Sequence, residues 1–213
     1  MNRIRKVIFR GFAVFERLDE SSLARLIQQA TPSGDVQEVQ LSSMGERERI
    51  RQAAVLAPLV RVDGEWRLLF IRRSDQVIDH KGQVAFPGGT CEDSDGSVEQ
   101  TALRETWEEI GVEPTDVRVL GQMEKLLTGT GYRITPVVGI IPWPYPFKLS
   151  PDEVSAVFSI PLNWLAERVN REERPFIRGG ELIEVIYFSP YHGELLWGAT
   201  ARMTVNLITL LSQ

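Results

Sequence analysis

The sequence predicts a layered α/β domain, and two hydrophobic patterns lead to this fold class. Apolar runs rich in β-branched residues recur from residue 53 onward, and they are typical of strands. Between them lie segments whose apolar residues repeat every three or four positions, as they do along one helix face. Strands interleaved with a few helices indicate a sheet covered by helices. At 213 residues the chain is long enough to bury a substantial core.

The first part of the chain is predicted to be a helical extension followed by a polar linker, over residues 1–47. Ser21 and Ser22 are candidate N-caps of its helix, and Pro32 follows the helix end. The helix carries an apolar stripe formed by Leu23, Leu26, Ile27 and Ala30. We expect the main domain to occupy residues 48–213.

The main domain is predicted to begin with a β-hairpin. Its strands cover residues 53–62 and 66–73, and Asp63-Gly64 between them suits a type I′ turn. Further strands are predicted at 117–120, 132–141, 154–160 and 182–188. Helices are predicted at 98–110, 161–169 and 199–211.

The composition of the chain indicates which binding partners and which cellular compartment to expect. The formal net charge is −5 and the chain lacks a basic stripe, so we expect no duplex nucleic acid as partner. Cys91 is the only cysteine, which excludes an intrachain disulfide and favours a reducing compartment. Because no apolar run reaches the roughly eighteen residues of a membrane span, we expect a cytoplasmic protein without membrane contact. A homodimer is compatible with the sequence.

The helix at 98–110 carries three carboxylates on one side. Glu105, Glu108 and Glu109 stand at i, i+3 and i+4, so they are neighbours on the helix surface and repel one another. Acidic runs on helices are usually solvated faces, and this alternative stays open for the carboxylates alone. A divalent cation would remove the repulsion. Because neither His nor Cys accompanies the carboxylates, the hypothesis is a site for Mg²⁺ or Mn²⁺, with Glu105 and Glu109 as first ligands and Glu108 as third.

A glycine turn precedes this helix. Phe86-Pro87-Gly88-Gly89 ends an apolar run, and the two glycines leave their backbone groups open to a ligand or an ion. Gly88 and Gly89 are therefore candidate substrate-binding residues.

This stretch resembles the signature of the Nudix hydrolases, and the matching residues are Gly89, Asp95, Arg104, Glu105, Glu108, Glu109, Gly111 and Val112. Three departures occur: Asp95 replaces the usual Glu, eight residues instead of seven separate it from Arg104, and Thr106 replaces an aliphatic residue. The resemblance implies an α/β/α sandwich around a mixed β-sheet. It also implies metal-dependent hydrolysis of a nucleotide-type diphosphate, with the backbone carbonyl of Gly89 as a further metal ligand.

The resemblance implies a glutamate as general base, from within the signature or from a loop beyond it. Glu153 is the loop candidate, in the segment Ser150-Pro151-Asp152-Glu153. A solvated loop acid is the alternative interpretation, because a base must lie within hydrogen-bond reach of the water.

The segment upstream of the signature resembles the coenzyme A diphosphatases within that family. The matching residues are Arg73, Ser74, Gly82, Phe86, Pro87, Gly88 and Gly89, and further similarity lies at 130–136 and 197–202. The departures are Phe70, Ile71 and Ile78, and the last stands where that subfamily has an arginine. An isoleucine cannot bind a phosphate.

The substrate implied by this second resemblance is coenzyme A or an acyl derivative. Candidate phosphate contacts are Arg72, Arg73, His80 and Lys81, and strand alternation lets only one of the two arginines face the site. The alternatives are a diphosphatase for ADP-ribose or another nucleotide conjugate, and a non-catalytic module that senses a nucleotide. Retention of Glu105, Glu108 and Glu109 argues against the last.

Overall fold

Strands and helices alternate along the chain in a computed structural model, which describes residues 15–29, 37–38, 50–76, 81–178 and 181–213. The helices are α1 (Glu20–Gln29), α2 (Val98–Ile110), α3 (Leu162–Ala166) and α4 (Gly198–Leu211). The strands are β1 (Gln37–Glu38), β2 (Arg51–Val62), β3 (Glu65–Arg73), β4 (Val84–Ala85), β5 (Gly88–Thr90), β6 (Arg118–Gln122), β7 (Leu126–Leu127), β8 (Tyr132–Ile140), β9 (Val154–Pro161), β10 (Arg171–Arg178) and β11 (Glu181–Phe188).

Within the described ranges, nine strands form one mixed sheet. Its main path is β1-β7-β8-β2-β3-β4, while β5 pairs with β2, β6 with β8 and β9 with β3. The central strands β2 and β8 run parallel, whereas β3 is antiparallel to both β2 and β9. Strands β10 and β11 form a separate antiparallel hairpin.

Alternate residues of β2 face two different cores. Val55, Ala57 and Leu59 belong to the core that includes buried residues of α1, α3 and α4. Leu56 and Val60 belong to the core on the other face, which includes buried residues of α2. Since successive side chains of a strand point to opposite faces, both faces of the sheet are covered by helices. The predicted sandwich of helices around a mixed sheet is confirmed.

The hairpin between β2 and β3 turns at the two residues named from the sequence. Asp63 and Gly64 have φ angles of 49° and 84°. A type I′ turn needs positive φ at both central residues, which is why Asp-Gly suits it. The prediction of this turn is confirmed.

Helix α1 packs into the first of the two cores described above. Leu23 and Ile27 are buried in the same core as β2 and α4. The predicted caps Ser21 and Ser22 were wrong, because Asp19 is the N-cap: its side chain accepts a hydrogen bond of 2.7 Å from the backbone N–H of Ser22. Ala30 and the predicted boundary at residue 47 lie outside the described residues, so that boundary stays a prediction.

Further elements differ from their predictions, and the short strands β1, β4, β5 and β7 were not predicted. The helix expected at 161–169 ends at Ala166, and a short 3₁₀ turn covers Arg168–Asn170. Strand β10 was not predicted, and it pairs with β11 along its whole length. In the part of the chain that the structure describes, no helix is long and apolar enough to cross a membrane.

Candidate active site

Helix α2 begins and ends where local sequence signals place its ends. The Ser97 side chain accepts a hydrogen bond of 3.2 Å from the backbone N–H of Gln100, as an N-cap does. At the other end Gly111 adopts φ 70°, and its N–H donates to the carbonyl of Trp107. The caps fix the length of the helix, and its buried face, which includes Ala102, Thr106 and Ile110, fixes its rotation. Glu105 and Glu109 then lie against β5.

Two consecutive glycines let β5 approach α2 closely. A Cβ atom on Gly89 would lie 2.4 Å from the carboxyl carbon of Glu105. Gly88 has φ 150°, and a Cβ there would lie 2.4 Å from the carbonyl oxygen of Ala54. A side chain at Gly88 would therefore force β5 away from β2, whereas one at Gly89 would displace the Glu105 carboxylate.

Glu109 is a buried carboxylate beside the turn. Only 2% of the residue is exposed, its Oε2 accepts a hydrogen bond of 3.0 Å from the N–H of Gly88, and Oε1 lies 3.6 Å from Nη1 of Arg73. Burial raises the pKa of Glu109 to about 8, in spite of the stabilisation that Gly88 and Arg73 give to its charged form. Burial also raises the pKa of Glu105 above its ordinary value. The site thus concentrates carboxylates whose negative charge is poorly solvated.

Arg104 holds the acidic loop onto the helix. Its Nε and Nη2 donate to the two carboxylate oxygens of Asp95, both at 3.0 Å, and Nη2 also donates to the carbonyl of Thr90. Arg104 holds the pKa of the Asp95 carboxyl well below its usual range. Two departures from the family signature, the shorter acid and the extra residue, are thereby accommodated, because Asp95 still forms a bidentate pair.

The third departure, Thr106, has a simple structural explanation. Its side chain is fully buried, and its hydroxyl donates a hydrogen bond of 2.6 Å to the carbonyl of Ala102 one turn earlier. A buried hydroxyl with a partner costs little, so threonine can replace an aliphatic residue here.

The three helix carboxylates are placed differently. Glu105 and Glu108 each accept a hydrogen bond from Nη1 of Arg104, at 3.0 and 3.1 Å, and the Glu108 side chain is the more exposed. Among the described residues, no group of three or more acidic, histidine or cysteine side chains is arranged to hold a metal ion. The donors that face β5 are the carboxylates of Glu105 and Glu109, next to the backbone of Gly88 and Gly89. Such an all-oxygen set fits Mg²⁺, which commonly uses one or two carboxylates and completes its shell with water and substrate phosphate.

A cavity of about 960 Å³ opens in front of these carboxylates. Its acidic side is lined by Glu92, Glu105, Glu109 and Glu153. Another part of its lining comes from the β10–β11 hairpin and the start of α4. It includes the apolar Phe176, Ile183, Val185 and Trp197 and the polar Glu184, Thr200 and Arg202. The cavity thus joins a cluster of carboxylates to a surface of mixed polarity.

The loop acid Glu153 reaches the site that the sequence indicated. It lines the cavity, and its negative charge contributes to the raised pKa values of Glu105 and Glu109. Its backbone carbonyl accepts a hydrogen bond of 2.7 Å from Ser74 of the strand end.

Arg72 and Arg73 lie on opposite faces of β3, as strand alternation requires. Arg73 lines the cavity beside Glu109. Arg72 does not line the cavity, because its guanidinium is bound to Ser155 and Glu194. Lys81 is exposed and also does not line the cavity, while Ile78 and His80 lie outside the described residues.

Sequence reasoning named no residue of the hairpin wall as part of the site. Phe176 and Ile183 belong to this wall. Phe176 lies on β10, which was not predicted, while Ile183 lies on the strand predicted at 182–188 but carried no signal that it lines the site. Arg202 was also missed, although the resemblance at 197–202 could have pointed to it.

Comparison with known proteins identifies the family. The NUDIX domain family model matches residues 50–192. A protein described as "Uncharacterized Nudix hydrolase NudL" from Escherichia coli strain SMS-3-5 is 44% identical over 157 residues, which cover 74% of this chain and 81% of that protein. A protein of the same description from Shigella boydii serotype 18 has the same identity and coverage.

Among solved structures, DR0079 from Deinococcus radiodurans shares 16% identity with a TM-score of 0.47, covering 76% of this chain and 86% of that one. The crystal structure of a Caenorhabditis elegans Ap4A hydrolase binary complex shares 19% identity with a TM-score of 0.44, covering 53% and 81%. Similarity at this level carries no information about the substrate.

The Arg104–Asp95 pair predicts a specific dependence of stability on pH. Because the pKa of Asp95 is lowered on folding, its contribution is fully present above the unfolded value of about 3.9 and is lost as pH falls towards the folded value. Asp95→Asn should lower the free energy of unfolding at pH 7 by roughly 1.5–3 kcal/mol. The difference from wild type should shrink below about pH 4. Urea denaturation over a pH series measures both effects.

The matched control is Glu92→Gln, since the exposed Glu92 carboxylate lies 3.9 Å from the same guanidinium. It should change stability by less than about 1 kcal/mol at every pH. A difference between wild type and Asp95→Asn that persists unchanged to pH 2 would contradict the role given to the pair.

Proposed function

The chain belongs to the Nudix hydrolase family, and we propose that it hydrolyses the diphosphate bond of a nucleoside diphosphate linked to a second organic group, most specifically coenzyme A or an acyl derivative. The observation that carries this proposal is the placement of Glu105 and Glu109 against the Gly88-Gly89 turn, at one end of a large cavity. Water added across the P–O–P bond would give two phosphate monoesters.

Nudix enzymes generally use divalent metal ions such as Mg²⁺. In this chain Glu105, Glu109 and the backbone carbonyl of Gly89 would hold Mg²⁺ or Mn²⁺, with Glu108 as a third carboxylate once it leaves Arg104. When bound, the ion supplies neutralisation of the diphosphate charge and acidifies a water molecule. Its positive charge would also favour the ionised forms of Glu105 and Glu109, which burial alone disfavours.

The protein's own groups would bind the diphosphate and accept the proton. Arg73 lines the cavity and its side chain is 28% exposed, so the guanidinium would bind a phosphate oxygen. Glu153 would act as general base and take the proton of the attacking water. The N–H of Gly88 is bound to Glu109, so that turn would contribute through the Gly89 carbonyl.

The size and lining of the cavity favour a substrate larger than a simple nucleotide. A volume of about 960 Å³ lies near the upper end of the range for small-molecule sites. Phe176 and Ile183 are direct cross-strand partners on one face of the hairpin, and both line the cavity. This apolar wall suits the pantetheine or acyl part of a coenzyme A derivative better than the second ribose of ADP-ribose, which is rich in hydroxyls.

A screen that resolves products by mass tests the proposed function. Coenzyme A, an acyl-coenzyme A, ADP-ribose, dinucleoside polyphosphates and NADH would each be incubated with Mg²⁺. Cleavage of the first two into phosphate monoesters supports the proposal. Cleavage of ADP-ribose alone would establish the first alternative, while binding without cleavage of any compound would establish the nucleotide-sensing module.

The metal-site proposal predicts what happens when the negative charge of Glu105 or of Glu109 is removed. Glu105→Gln and Glu109→Gln keep the side-chain shape but remove an anionic ligand, so turnover should fall at least about a hundredfold. Added Mg²⁺ should raise the melting temperature of wild type more than that of either variant. Glu99→Gln is the matched control, because Glu99 lies on the same helix and does not line the cavity. Near-normal turnover by both variants would remove the metal assignment.

The general-base proposal predicts a loss of rate without a loss of binding. Glu153→Gln should lower kcat by about a hundredfold or more while KM stays within about twofold, because the amide keeps the size of the side chain but cannot accept the proton. Steady-state kinetics on the cleaved substrate measures both constants. An unchanged kcat would return the role of base to a glutamate of α2.

If the hairpin wall binds an apolar group, a polar substitution in it should lower activity most for substrates that carry such a group. Phe176 lines the cavity and is 41% exposed, whereas its neighbour Ile177 is 73% exposed, does not line the cavity and must point to the other face of the strand. Phe176→Ser should lower kcat/KM for an acyl-coenzyme A about tenfold more than for free coenzyme A. Ile177→Ser should lower neither. Equal losses on both substrates would show that Phe176 does not contact the acyl group.

A further inference from the structure

Arg72 is tied to the strand that carries the loop of Glu153. Its Nε donates a hydrogen bond of 2.9 Å to Oγ of Ser155, and its Nη1 donates one of 2.9 Å to Oε1 of Glu194. The Ser155 hydroxyl in turn donates to the backbone carbonyl of Arg72 at 3.1 Å. Both the side chain and the backbone carbonyl of Arg72 are thus hydrogen-bonded to Ser155.

This contact lies at an irregularity of the sheet. Strands β3 and β9 pair residue by residue from Arg67 with Pro161 to Arg72 with Ala156, and the next pair is Arg73 with Val154. Ser155 is therefore an extra residue, a β-bulge, on the β9 side. Bulges bend a strand and change the direction in which neighbouring side chains point.

The bulge lies two residues after Glu153, whose loop is fixed at both ends. At one end the N–H of Ser150 donates to the carbonyl of Glu109 at 2.9 Å, which ties the loop to α2. At the other end the N–H of Ser74 donates to the carbonyl of Glu153 at 2.7 Å, and Ser155 is held by Arg72. The distance between Glu153 and the α2 carboxylates therefore depends on how β9 is held against β3.

We propose that Arg72 is a positioning residue: with Ser155 and Glu194 it clamps the bulge and sets where the Glu153 carboxylate stands in the cavity. This inference rests on the proposed role of Glu153 as general base. This positioning role replaces the phosphate contact that the sequence suggested for Arg72, because its Nε and Nη1 already donate to Ser155 and Glu194 outside the cavity. Misplacing a reacting group by about 1 Å can cost roughly a hundredfold in rate, so such a clamp has a catalytic consequence without touching the substrate.

The clamp contributes little to the free energy of unfolding, so its effect on the rate can be measured separately from its effect on stability. Side chains of Arg72 and Glu194 are 42% and 20% exposed, and exposed ion pairs of this kind stabilise proteins by about 0–1 kcal/mol. For a chain of this size, such a loss lowers the melting temperature by roughly 2–4 °C at most. A variant that loses the clamp should therefore fold normally.

The same pair of strands contains a matched control. Arg67 donates from Nε to Oγ of Ser159 at 2.9 Å, as Arg72 does to Ser155, and also bonds the Tyr191 hydroxyl. Its pairing region is regular and lies at the opposite end of β3 from Glu153. Arg67→Met removes the same kind of contact between the same strands, away from the bulge.

The experiment compares Arg72→Met, Ser155→Ala and Arg67→Met, with coenzyme A and ADP-ribose as probes and Mg²⁺ present. Arg72→Met and Ser155→Ala should lower kcat about tenfold and leave KM within about twofold, while Arg67→Met should change neither by more than about twofold. In a Glu153→Gln background, adding Arg72→Met should cause no further loss, since both changes act through one group.

The outcomes separate the clamp from the base assignment. If Glu153→Gln lowers kcat but Arg72→Met does not, or if Arg67→Met costs as much as Arg72→Met, the clamp is wrong and the base stands. If Glu153→Gln has no effect, the base assignment and the inference fall together. Full additivity in the double variant also overturns the inference.

If neither probe is cleaved, amide hydrogen exchange tests whether Arg72 holds the loop that carries Glu153. Exchange at residues 150–155 and at the Ser74 amide should be faster in Arg72→Met than in wild type, and unchanged in Arg67→Met. Equal exchange in wild type and Arg72→Met would show that the clamp does not hold the loop.

Discussion

The site depends on how closely the backbone of β5 approaches helix α2. Two consecutive glycines make this approach sterically feasible, since a Cβ on Gly89 would collide with the Glu105 carboxylate and one on Gly88 with the neighbouring strand. The approach lets the Gly88 N–H reach Glu109. Glu105 and Glu109 are one helical turn apart, so a single packing contact places both acids against the turn. Glycine at these two positions therefore shapes the site, because a Cβ on Gly88 would meet the backbone of β2 and one on Gly89 would displace the Glu105 carboxylate.

Arg104 balances the acidic charge that this packing brings together. It is bound most strongly to Asp95, outside the acidic lining of the cavity, and shares its remaining hydrogen bonds among Glu105, Glu108 and the Thr90 carbonyl. One guanidinium cannot neutralise all of these carboxylates, and burial leaves Glu105 and Glu109 with raised pKa values. The same poor solvation that disfavours these charges also strengthens their attraction to a divalent cation. Even with Arg73 Nη1 3.6 Å from Glu109 Oε1, the pKa of that carboxyl stays raised, so a divalent cation would meet poorly solvated carboxylates here.

Local patterns in the sequence predicted the elements that local interactions determine. Helix α2 was placed correctly at both ends because Ser97 and Gly111 cap it, and the spacing of three glutamates fixed which side of the helix is acidic. Alternation along β3 predicted that one of Arg72 and Arg73 faces the site, but which one depends on the face that packs against α2. Strand β10 gave no signal, because its residues 171–175 are charged or proline and pair only with a strand formed later in the chain. The cavity wall that β10 contributes could not be predicted for the same reason.

The signature carboxylates and the hairpin wall of the cavity come from different parts of the chain. The acidic side of the cavity comes from α2, β5 and the loop of Glu153, all within residues 50–192, the range that matches the family model. The opposite wall includes Trp197, Thr200 and Arg202 at the start of α4, beyond that range, and the β10–β11 hairpin, which is separate from the main sheet. A hairpin that is not part of the main sheet can change its side chains without moving the carboxylates. Family membership therefore states the reaction, whereas the contacts proposed for the second organic group lie on the hairpin and α4, outside the signature at residues 89–112.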